Sequence, residues 1–303
     1  MKERKEWKGL RKDVEEERYN EGMDKDEHED ENVKKKGSVE EVLRVGGKRV
    51  GRKNKKKRDW TSIKLVTWNV NGLKNKIEEL RRVAISKKWD IIMVEETYVK
   101  ENDKIKMEGF VWFSGGGVKG KGGVGMFVAE YIAQYVGIMK EDRTDMLWVK
   151  VEVEGRKKRM IGVVYGPDDK KPKVVKEEFF EELSNRVSEF KNGGWDVVVM
   201  GDFNARVGRG GNKDGVIGMY GEEQENCSGK LLIEIAEGYG LKILNGRKEG
   251  EVEWTFMGQG KGGMARRSVV DLVVVNNELY KWVRCMGVER ELDVGGDGHV
   301  PVG

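Results

Sequence analysis

The chain has 303 residues, of which 37% are charged and 37% hydrophobic, and its formal net charge is +4. Its 42 glycines follow no three-residue period and it has only 3 prolines and 2 cysteines, which excludes a collagen-like chain and a disulfide scaffold. The longest apolar runs are of strand length, far below the ~20 residues of a membrane helix, and the first residues are charged. We therefore expect a protein without a membrane span that is not secreted and works in the nucleus or cytoplasm.

Residues 1–60 differ from the rest of the chain in charge and in apolar content. Residues 1–33 carry eight basic and thirteen acidic side chains, whereas residues 34–58 carry twelve basic and two acidic ones. Few aromatic residues and little apolar periodicity predict a disordered charged tail over 1–60, acidic first and then basic. The basic run at 51–58 is either a nuclear localisation or nucleic-acid-binding segment or a solvated linker.

From residue 61 onward, short apolar runs alternate with Gly, Asn and Asp, which predicts an α/β domain over residues 61–303. The predicted strands are 64–69, 90–95, 109–114, 123–128, 146–153, 160–165, 196–200, 253–257, 269–275 and 282–289. The predicted helices are 74–87, 173–190 and 226–239. The Gly- and Lys-rich stretch at 115–125 has the composition of a phosphate-binding loop, but it leads into no helix and is predicted to be a hairpin loop.

Two apolar runs that follow helical segments end in acidic residues. One leads to Glu95 and Glu96, and the other leads to Asp202. Ligands bind at the carboxyl ends of strands in open α/β sheets, so two facing half-repeats would bring Glu96 and Asp202 together with Asn69. Taken separately, Asn69 is either a turn former or a functional amide, and the adjacent glutamates are either solvated or include a metal ligand.

Asp202 and Asn204 follow a buried strand two residues apart, so their side chains point the same way. An Asp there can orient a water or accept a proton, and an Asn amide can donate to a phosphoryl oxygen. An ordinary Asp/Asn turn is the alternative. Farther along, Asp271 lies within an apolar strand, where an unpaired carboxylate is costly. His299, the one histidine within 61–303, is its candidate partner.

Several of these segments occur in a fixed order: Thr-Trp-Asn-Val-Asn-Gly, Glu-Glu-Thr, Val-Val-Tyr-Gly-Pro, Gly-Asp-Phe-Asn-Ala, the strand aspartate and the terminal histidine. In this order they resemble the endonuclease/exonuclease/phosphatase superfamily, over residues 63–302. The stretch from 201 onward is similar to the endonuclease domains of LINE-type retrotransposons and to craniofacial development protein 2-like proteins. The resemblance implies an α/β fold in which two mixed β-sheets pack as a sandwich, with helices on the outer faces, in four layers.

The resemblance also implies roles for individual residues. The implied metal ligands are Asn69 and Glu96, and the implied cation is Mg²⁺ or Mn²⁺. The implied catalytic residues are Tyr165 and Asn204 at the phosphate, Asp202 at the attacking water, and His299 oriented by Asp271. The implied substrate-binding residues are Asn71, Arg206 and Thr255. The division of acid and base roles between Asp202 and His299 stays open.

Two features depart from the family pattern. The family usually has Asp directly before the terminal histidine, where this chain has Gly298, and the nearest acid is Asp297. A shift of one residue along a strand turns a side chain to the opposite face, so Asp297 would need a local bulge to serve as a metal ligand. The chain also stops four residues after His299, so we expect the last strand to be incomplete.

The resemblance thus implies a divalent-metal-dependent phosphodiesterase that nicks DNA, as a retroelement-derived endonuclease domain with a reverse transcriptase encoded downstream. Two alternatives stay open. One is an abasic-site repair endonuclease or a phosphatase of the same superfamily. The other is a catalytically decayed protein that only binds nucleic acid or chromatin. No small-molecule cofactor is expected.

Overall fold

The computed structural model describes residues 62–100, 103–115, 122–139, 143–210, 215–250, 252–259, 265–289 and 298–303. The predicted charged tail and Asp297 lie outside these residues. Within them, sheets of four and six strands pack against each other, and a two-stranded hairpin accompanies them. None of the helices in the described part of the chain is long and apolar enough to cross a membrane.

The four-stranded sheet has the strand order β1-β2-β4-β3. Its members are β1 (Leu65–Asn69), β2 (Ile91–Glu95), β3 (Phe110–Ser114) and β4 (Val124–Ala129). Helix α1 (Ile77–Lys87) connects the parallel strands β1 and β2, whereas β4 pairs antiparallel with β2 and β3 and leads into the short helix α2 (Glu130–Ala133). The β1–α1–β2 unit therefore brings the carboxyl ends of β1 and β2 to one edge.

The six-stranded sheet has the strand order β5-β6-β7-β8-β12-β9. Its members are β5 (Val136–Ile138), β6 (Met146–Val151), β7 (Arg159–Tyr165), β8 (Asp196–Asp202), β9 (Leu241–Ile243) and β12 (Asp271–Asn276). Helix α3 (Lys173–Asn192) connects the parallel strands β7 and β8, and the other pairs in this sheet are antiparallel. The hairpin consists of β10 (Phe256–Gln259) and β11 (Ala265–Ser268).

Helices cover the outer faces of both sheets. On the four-stranded sheet, α1 buries Leu80 and Ala84 against β1 and β2. On the six-stranded sheet, α3 packs beside α4 (Cys227–Tyr239), which begins at the N-cap Asn226, and a single turn, α5 (Asn277–Tyr280), follows β12. The layers are helix, mixed sheet, mixed sheet and helix, so the predicted fold is confirmed.

Strand β8 shows how the two halves of the core meet. Val198 and Met200 pack between the sheets, whereas Val197 and Val199 pack under the helices, and each is at most 3% exposed. Since strand side chains alternate in direction, a strand covered on both faces is apolar along its length. The first carboxylate after this apolar run, Asp202, therefore appears where the strand reaches the edge of the sheet.

The predicted strand at 282–289 is wrong over most of its length. Helix α5 ends at Tyr280, and Trp282 follows in a turn with 79% of its surface exposed. Both edges of β12 already pair with β8 and β9, so the segment finds no free edge there. The short elements β5, β9, β11, α2 and α5 were not predicted, because three or four residues are too few for a periodic pattern.

The end of the chain pairs with the outer edge of β1. Thr67 and Val302 exchange backbone hydrogen bonds of 2.9 and 3.0 Å, and residues 287–289 pair with 301–303 on the other side. The backbone N–H of Val300 donates to the Thr255 carbonyl at 2.9 Å. These contacts bring His299 to the edge of the sandwich where β1 and β8 end. The expectation of an incomplete last strand stays a prediction.

Candidate active site

Asn69 connects the two sheets at the edge where β1, β2 and β8 end. Its amide nitrogen donates to Glu96 Oε1 at 2.9 Å and to Asp202 Oδ2 at 3.1 Å, and its amide oxygen accepts from the Asn71 N–H at 3.2 Å. Its side chain is buried, so both carboxylates are held by a group that water does not reach. The predicted cleft of Asn69, Glu96 and Asp202 is therefore present.

Glu96 is half-buried and accepts three hydrogen bonds. Its Oε1 accepts from Asn69 and from the Tyr165 hydroxyl at 2.9 Å, and its Oε2 accepts from the Tyr98 hydroxyl at 2.5 Å. Burial alone would raise the pKa of Glu96, but these donors outweigh burial and lower the pKa below its ordinary value. Glu96 is therefore an ionised carboxylate at neutral pH.

Glu95 has a different environment, although it is the adjacent residue. It shares a strand face with Ile91 and Met93, which pack between the sheets, and it is fully buried. The Thr67 hydroxyl donates to its Oε1 at 2.5 Å, and its Oε2 is buried without a hydrogen-bond partner. Burial raises the pKa of Glu95 well above its ordinary value, beyond what the Thr67 bond offsets. Burial inside the sandwich therefore favours the protonated form of Glu95.

Asp202 and Asp271 lie side by side on neighbouring strands. Their Cα atoms are directly paired in the antiparallel register of β8 and β12, so their side chains share a face. Asp202 Oδ1 accepts from the Asn204 N–H at 3.0 Å. Burial, followed by repulsion from Asp271, raises the pKa of Asp202 to about 7. Asp202 is thus balanced between its charged and neutral forms near neutral pH.

His299 lies against both of these aspartates. Its Nδ1 is 3.1 Å from each Asp271 oxygen, and its Nε2 is 3.8 Å from Asp202 Oδ2. The ring of Phe256 packs on the imidazole at 4.8 Å between centroids, and the Trp68 indole donates to the His299 carbonyl at 3.3 Å. Burial opposes protonation, but the Asp271 carboxylate outweighs it and raises the pKa of His299 to about 10. The predicted Asp271–His299 pair is therefore present, with a protonated imidazole.

Asn204 and Tyr165 complete the side of the cleft formed by the six-stranded sheet. Tyr165 is paired with Asp202 in the parallel register of β7 and β8. Asn204 has a positive φ of 48°, and its amide donates to the Gly166 carbonyl at 3.0 Å. Asn226 donates to the Asn204 carbonyl at 3.0 Å and so supports this unusual backbone.

The three predicted substrate-binding residues have different surroundings. Asn71 is exposed beside Glu96, and its amide oxygen lies 2.5 Å from the Tyr98 hydroxyl. Arg206 lines the cleft, but its guanidinium donates to Glu222 Oε2 at 2.9 and 2.6 Å. Thr255 is fully buried, which corrects the expectation of direct substrate contact. Its hydroxyl accepts the backbone N–H groups of residues 270 and 271, each at 3.1 Å, so it holds Asp271 in place.

Gly298 precedes His299 with a φ of +84°, where L side chains are strained. Its carbonyl accepts from the Met257 N–H at 2.7 Å, and a Cβ atom at this position would lie 2.2 Å from the Met257 carbonyl oxygen. The close approach of β10 thus excludes any side chain at 298. The family's aspartate does not fit this backbone, and Asp297 lies outside the described residues.

An open cleft of about 170 Å³ lies at this edge of the sandwich. Among the predicted residues, Glu96, Tyr165, Asn204, Arg206 and His299 line it. Three further residues that contact the site were not predicted from the sequence: Tyr98, Asn226 and Phe256. The signal for Tyr98 was its position two residues after Glu96, and the signal for Asn226 was its place at the start of a predicted helix. Nothing local marked Phe256, because its contact with His299 joins residues 43 positions apart.

The donor atoms at the cleft suit a divalent cation. Glu96 supplies a charged oxygen, and the Asn69 amide oxygen has a lone pair beyond its bond from the Asn71 N–H. Among the described residues, Asp202, Asp271 and His299 also bring three possible ligand atoms within 4.8 Å of one another. Hard cations such as Mg²⁺ and Mn²⁺ take oxygen ligands of this kind.

The described residues form a four-layered α/β sandwich that gathers carboxylates, an amide and a histidine at one edge. A family model described as the Endonuclease/Exonuclease/phosphatase family matches residues 66–290. The chain therefore belongs to the endonuclease/exonuclease/phosphatase family, whose members are typically metal-dependent nucleases and phosphatases. No curated protein matched the sequence.

Solved structures share the fold at low sequence identity. The endonuclease domain of TRAS1, a telomere-specific non-LTR retrotransposon, is 21% identical with a TM-score of 0.59, covering 80% of this chain and 96% of that chain. The 3'-5' exonuclease NExo from Neisseria meningitidis is 18% identical with a TM-score of 0.60, and the match covers 79% of this chain and 98% of that chain. The APE2 catalytic domain from Xenopus laevis is 19% identical with a TM-score of 0.61, and the match covers 79% of this chain and 90% of that chain. The predicted resemblance to the superfamily is confirmed by the family match, and the fold is shared with a retrotransposon endonuclease domain. The predicted similarity to craniofacial development protein 2-like proteins stays a prediction.

Proposed function

We propose that this chain is a Mg²⁺- or Mn²⁺-dependent phosphodiesterase that nicks DNA. The observation that carries the proposal is the cluster across the two sheets, in which Asn69 links an ionised Glu96 to a buried Asp202 beside the Asp271–His299 pair. The pKa of Glu96 is lowered and the pKa of Asp202 is raised, and carboxylates with shifted pKa values beside a cleft are typical of functional sites.

Glu96 and Asn69 would hold the cation. When bound, the cation supplies charge neutralisation at the phosphate and at the departing oxygen. Its three hydrogen-bond donors stabilise the ionised form of Glu96, so Glu96 would bind a cation at neutral pH without first losing a proton. Asp297, the third predicted ligand, stays a prediction.

Asp202 is the better candidate for the base and His299 for the cationic partner. With a pKa of about 7, Asp202 can accept a proton from the attacking water near neutral pH. The water oxygen forms the new bond to phosphorus, the bond from phosphorus to the sugar oxygen breaks, and the departing sugar oxygen takes up a proton from solvent. His299 keeps its proton through Asp271, so its Nε2–H can donate to a phosphoryl oxygen near Asp202.

Tyr165 and Asn204 would contact the same phosphate. Both line the cleft, and both carry a donor that can turn from its present acceptor to a phosphoryl oxygen. Arg206 lines the cleft and Asn71 lies near Glu96, and both would contact flanking nucleotides.

Three observations support DNA as the substrate and a retroelement as the origin of the chain. They are the motif resemblance, the likeness to the endonuclease domain of a telomere-specific retrotransposon and the basic run in the predicted tail. Such a run would add backbone affinity that weakens with salt. A nuclear or cytoplasmic location and a reverse transcriptase encoded downstream belong to the same proposal.

The test is nicking of supercoiled plasmid by the purified chain with Mg²⁺, with Mn²⁺ and with EDTA. We expect metal-dependent relaxation that is lost in Asp202→Asn and His299→Ala. Asp196→Asn is the matched control, because Asp196 is also buried but lies at the opposite end of β8. A duplex with one abasic site, assayed in parallel, separates a repair endonuclease from a general nickase. A folded wild-type chain that binds DNA without cutting it would contradict the proposal.

A further inference from the structure

Tyr98 contacts the proposed metal ligand, and neither the sequence motifs nor the proposed mechanism uses it. Its hydroxyl lies 2.5 Å from Glu96 Oε2 and 2.5 Å from Asn71 Oδ1. Asn71, Glu96 and Tyr98 have positive φ angles of 41°, 50° and 52°. Non-glycine residues seldom adopt positive φ angles, so the contacts around these three residues must hold the backbone in this conformation. The conformation in turn fixes the positions of their side chains.

The hydrogen bonds of Glu96 define what Tyr98 controls. Each carboxylate oxygen offers two lone pairs, and both on Oε1 are used, by Asn69 and by Tyr165. Oε2 accepts from Tyr98 and retains one further lone pair. The only oxygen of Glu96 with capacity for a cation is therefore the one that Tyr98 holds.

The ring and the backbone of Tyr98 are each held by a neighbouring loop. It lies over Gly72, where a Cβ atom would be 3.4 Å from Tyr98 Cδ2, and Gly72 has a φ of +100°. The Gly72 N–H donates to the Glu96 carbonyl at 2.7 Å, and the Tyr98 N–H donates to the Gly122 carbonyl at 3.0 Å. The loop after β1 and the loop after β2 thus hold the hydroxyl at a set distance from Glu96.

The hydroxyl carries one proton for two nearby oxygens. A charged carboxylate is a stronger acceptor than an amide oxygen, so the proton belongs to Glu96. A half-turn of the Asn71 amide would point its NH₂ group at the Tyr98 oxygen. Asn71, Tyr98 and Glu96 would then form a directed chain of donors that ends on the metal ligand.

We propose that Tyr98 is a positioning residue that orients Glu96 Oε2 and thereby sets the affinity for the divalent cation. This inference rests on the proposed function, since it takes Glu96 as a metal ligand. Hydrogen bonds to ligating carboxylates commonly change metal affinity by about 10- to 100-fold when they are removed. Tyr98 touches neither the reacting phosphate nor the attacking water in this scheme, so its effect passes through Glu96.

The test uses Tyr98→Phe, which removes only the hydroxyl, and Tyr131→Phe as the matched control. Tyr131 also donates to a carboxylate, Asp90, but at the opposite end of β2. We expect Mn²⁺ binding, measured by calorimetry on the full chain, to weaken roughly tenfold in Tyr98→Phe and to stay unchanged in Tyr131→Phe. Nicking should need roughly tenfold more metal for half-maximal rate, with the rate at saturating metal largely retained.

A second measurement keeps the inference testable should Tyr98→Phe lose stability. Urea unfolding of metal-free wild type, Tyr98→Phe, Glu96→Ala and the double variant forms a cycle. If Tyr98 acts through Glu96, the two substitutions should not be additive, and the hydroxyl should contribute less to stability once Glu96 is removed, although Asn71 Oδ1 remains as an acceptor. Additive effects, or unchanged Mn²⁺ affinity in Tyr98→Phe, would overturn the inference while leaving the nuclease intact. A wild-type chain that neither binds Mn²⁺ nor nicks DNA would refute the proposed function itself, and this inference with it.

Discussion

Each sheet contributes one side of the cleft through a parallel strand pair linked by a helix, but the carboxylates on the two sides differ in pKa. In each sheet one parallel pair, β1–β2 or β7–β8, is linked by a helix and ends in polar residues. The four-stranded sheet presents Glu96, half-buried and ionised by three donors. The six-stranded sheet presents Asp202, fully buried beside a second carboxylate, with its pKa raised to about 7. Equivalent strand ends thus acquire different chemistry from their surroundings.

The largest expected effect is on the nicking rate, and it distinguishes the side of the cleft with Asp202 from the side with Glu96. Asp202→Asn should reduce the nicking rate by roughly 10²- to 10⁴-fold at any metal concentration, because it removes the proposed base. Glu96→Gln should instead raise the metal concentration needed, by roughly 10- to 100-fold. Metal titrations of both variants check this, with Asp90→Asn as a control at the far end of β2. If added metal restored the nicking rate of both variants equally, the assigned roles of Asp202 as base and Glu96 as metal ligand would be wrong.

A second prediction concerns the stability of the side that holds His299. The pKa of His299 is raised from 6.5 to about 10, so the native state binds the proton more tightly than the unfolded chain does. Its stabilisation is complete below pH 6.5 and is lost as the pH rises toward about 10. The limiting slope for one proton is about 1.4 kcal/mol per pH unit. Unfolding of wild type and His299→Asn in EDTA should therefore converge with rising pH, and a constant difference would contradict the assignment.

A third prediction uses Gly298, where the family aspartate is absent. Gly298→Asp should destabilise the fold by about 3 kcal/mol and lower activity, because the new Cβ would lie against the Met257 carbonyl at a strained φ. Gly109→Asp is the matched control, since Gly109 has a φ of +83° and a Cβ atom there would have no other atom within 4 Å. Urea unfolding of both variants distinguishes steric exclusion from backbone strain alone. Higher activity in Gly298→Asp would show that the missing aspartate is a lost ligand.

The smallest expected effect is at Glu95. Its pKa is raised by burial, so the unfolded chain releases this proton more readily and the native state loses stability as the pH rises above 4.5. Glu95→Gln keeps the shape and removes the titration, so the variant should match wild type near pH 4 and exceed its stability at neutral pH. Denaturant unfolding at the two pH values measures this, with the exposed Glu154→Gln as control. A variant less stable than wild type at neutral pH would mean that Glu95 is ionised.

Much of the site was predictable because its residues occupy strand ends. Asn69, Glu96 and Asp202 each follow an apolar run, and the only histidine in the domain had one buried aspartate available as its partner. Tyr98 and Asn226 were missed, because what they do depends on hydrogen bonds formed with Glu96 and Asn204 after folding. Thr255 was given the wrong kind of role, because the motif does not reveal that its hydroxyl is enclosed beneath Asp271.

The sequence by itself determined the class of the fold, the strand ends that carry chemistry and the pairing of Asp271 with His299. Apolar periodicity records which faces are buried, and burial decides where a lone carboxylate needs a partner. Tertiary structure alone decided which of the two adjacent glutamates is ionised, which donors hold Glu96 and why residue 298 is a glycine. These depend on distances between strands and loops far apart in the chain, and such distances exist only once the two sheets have packed.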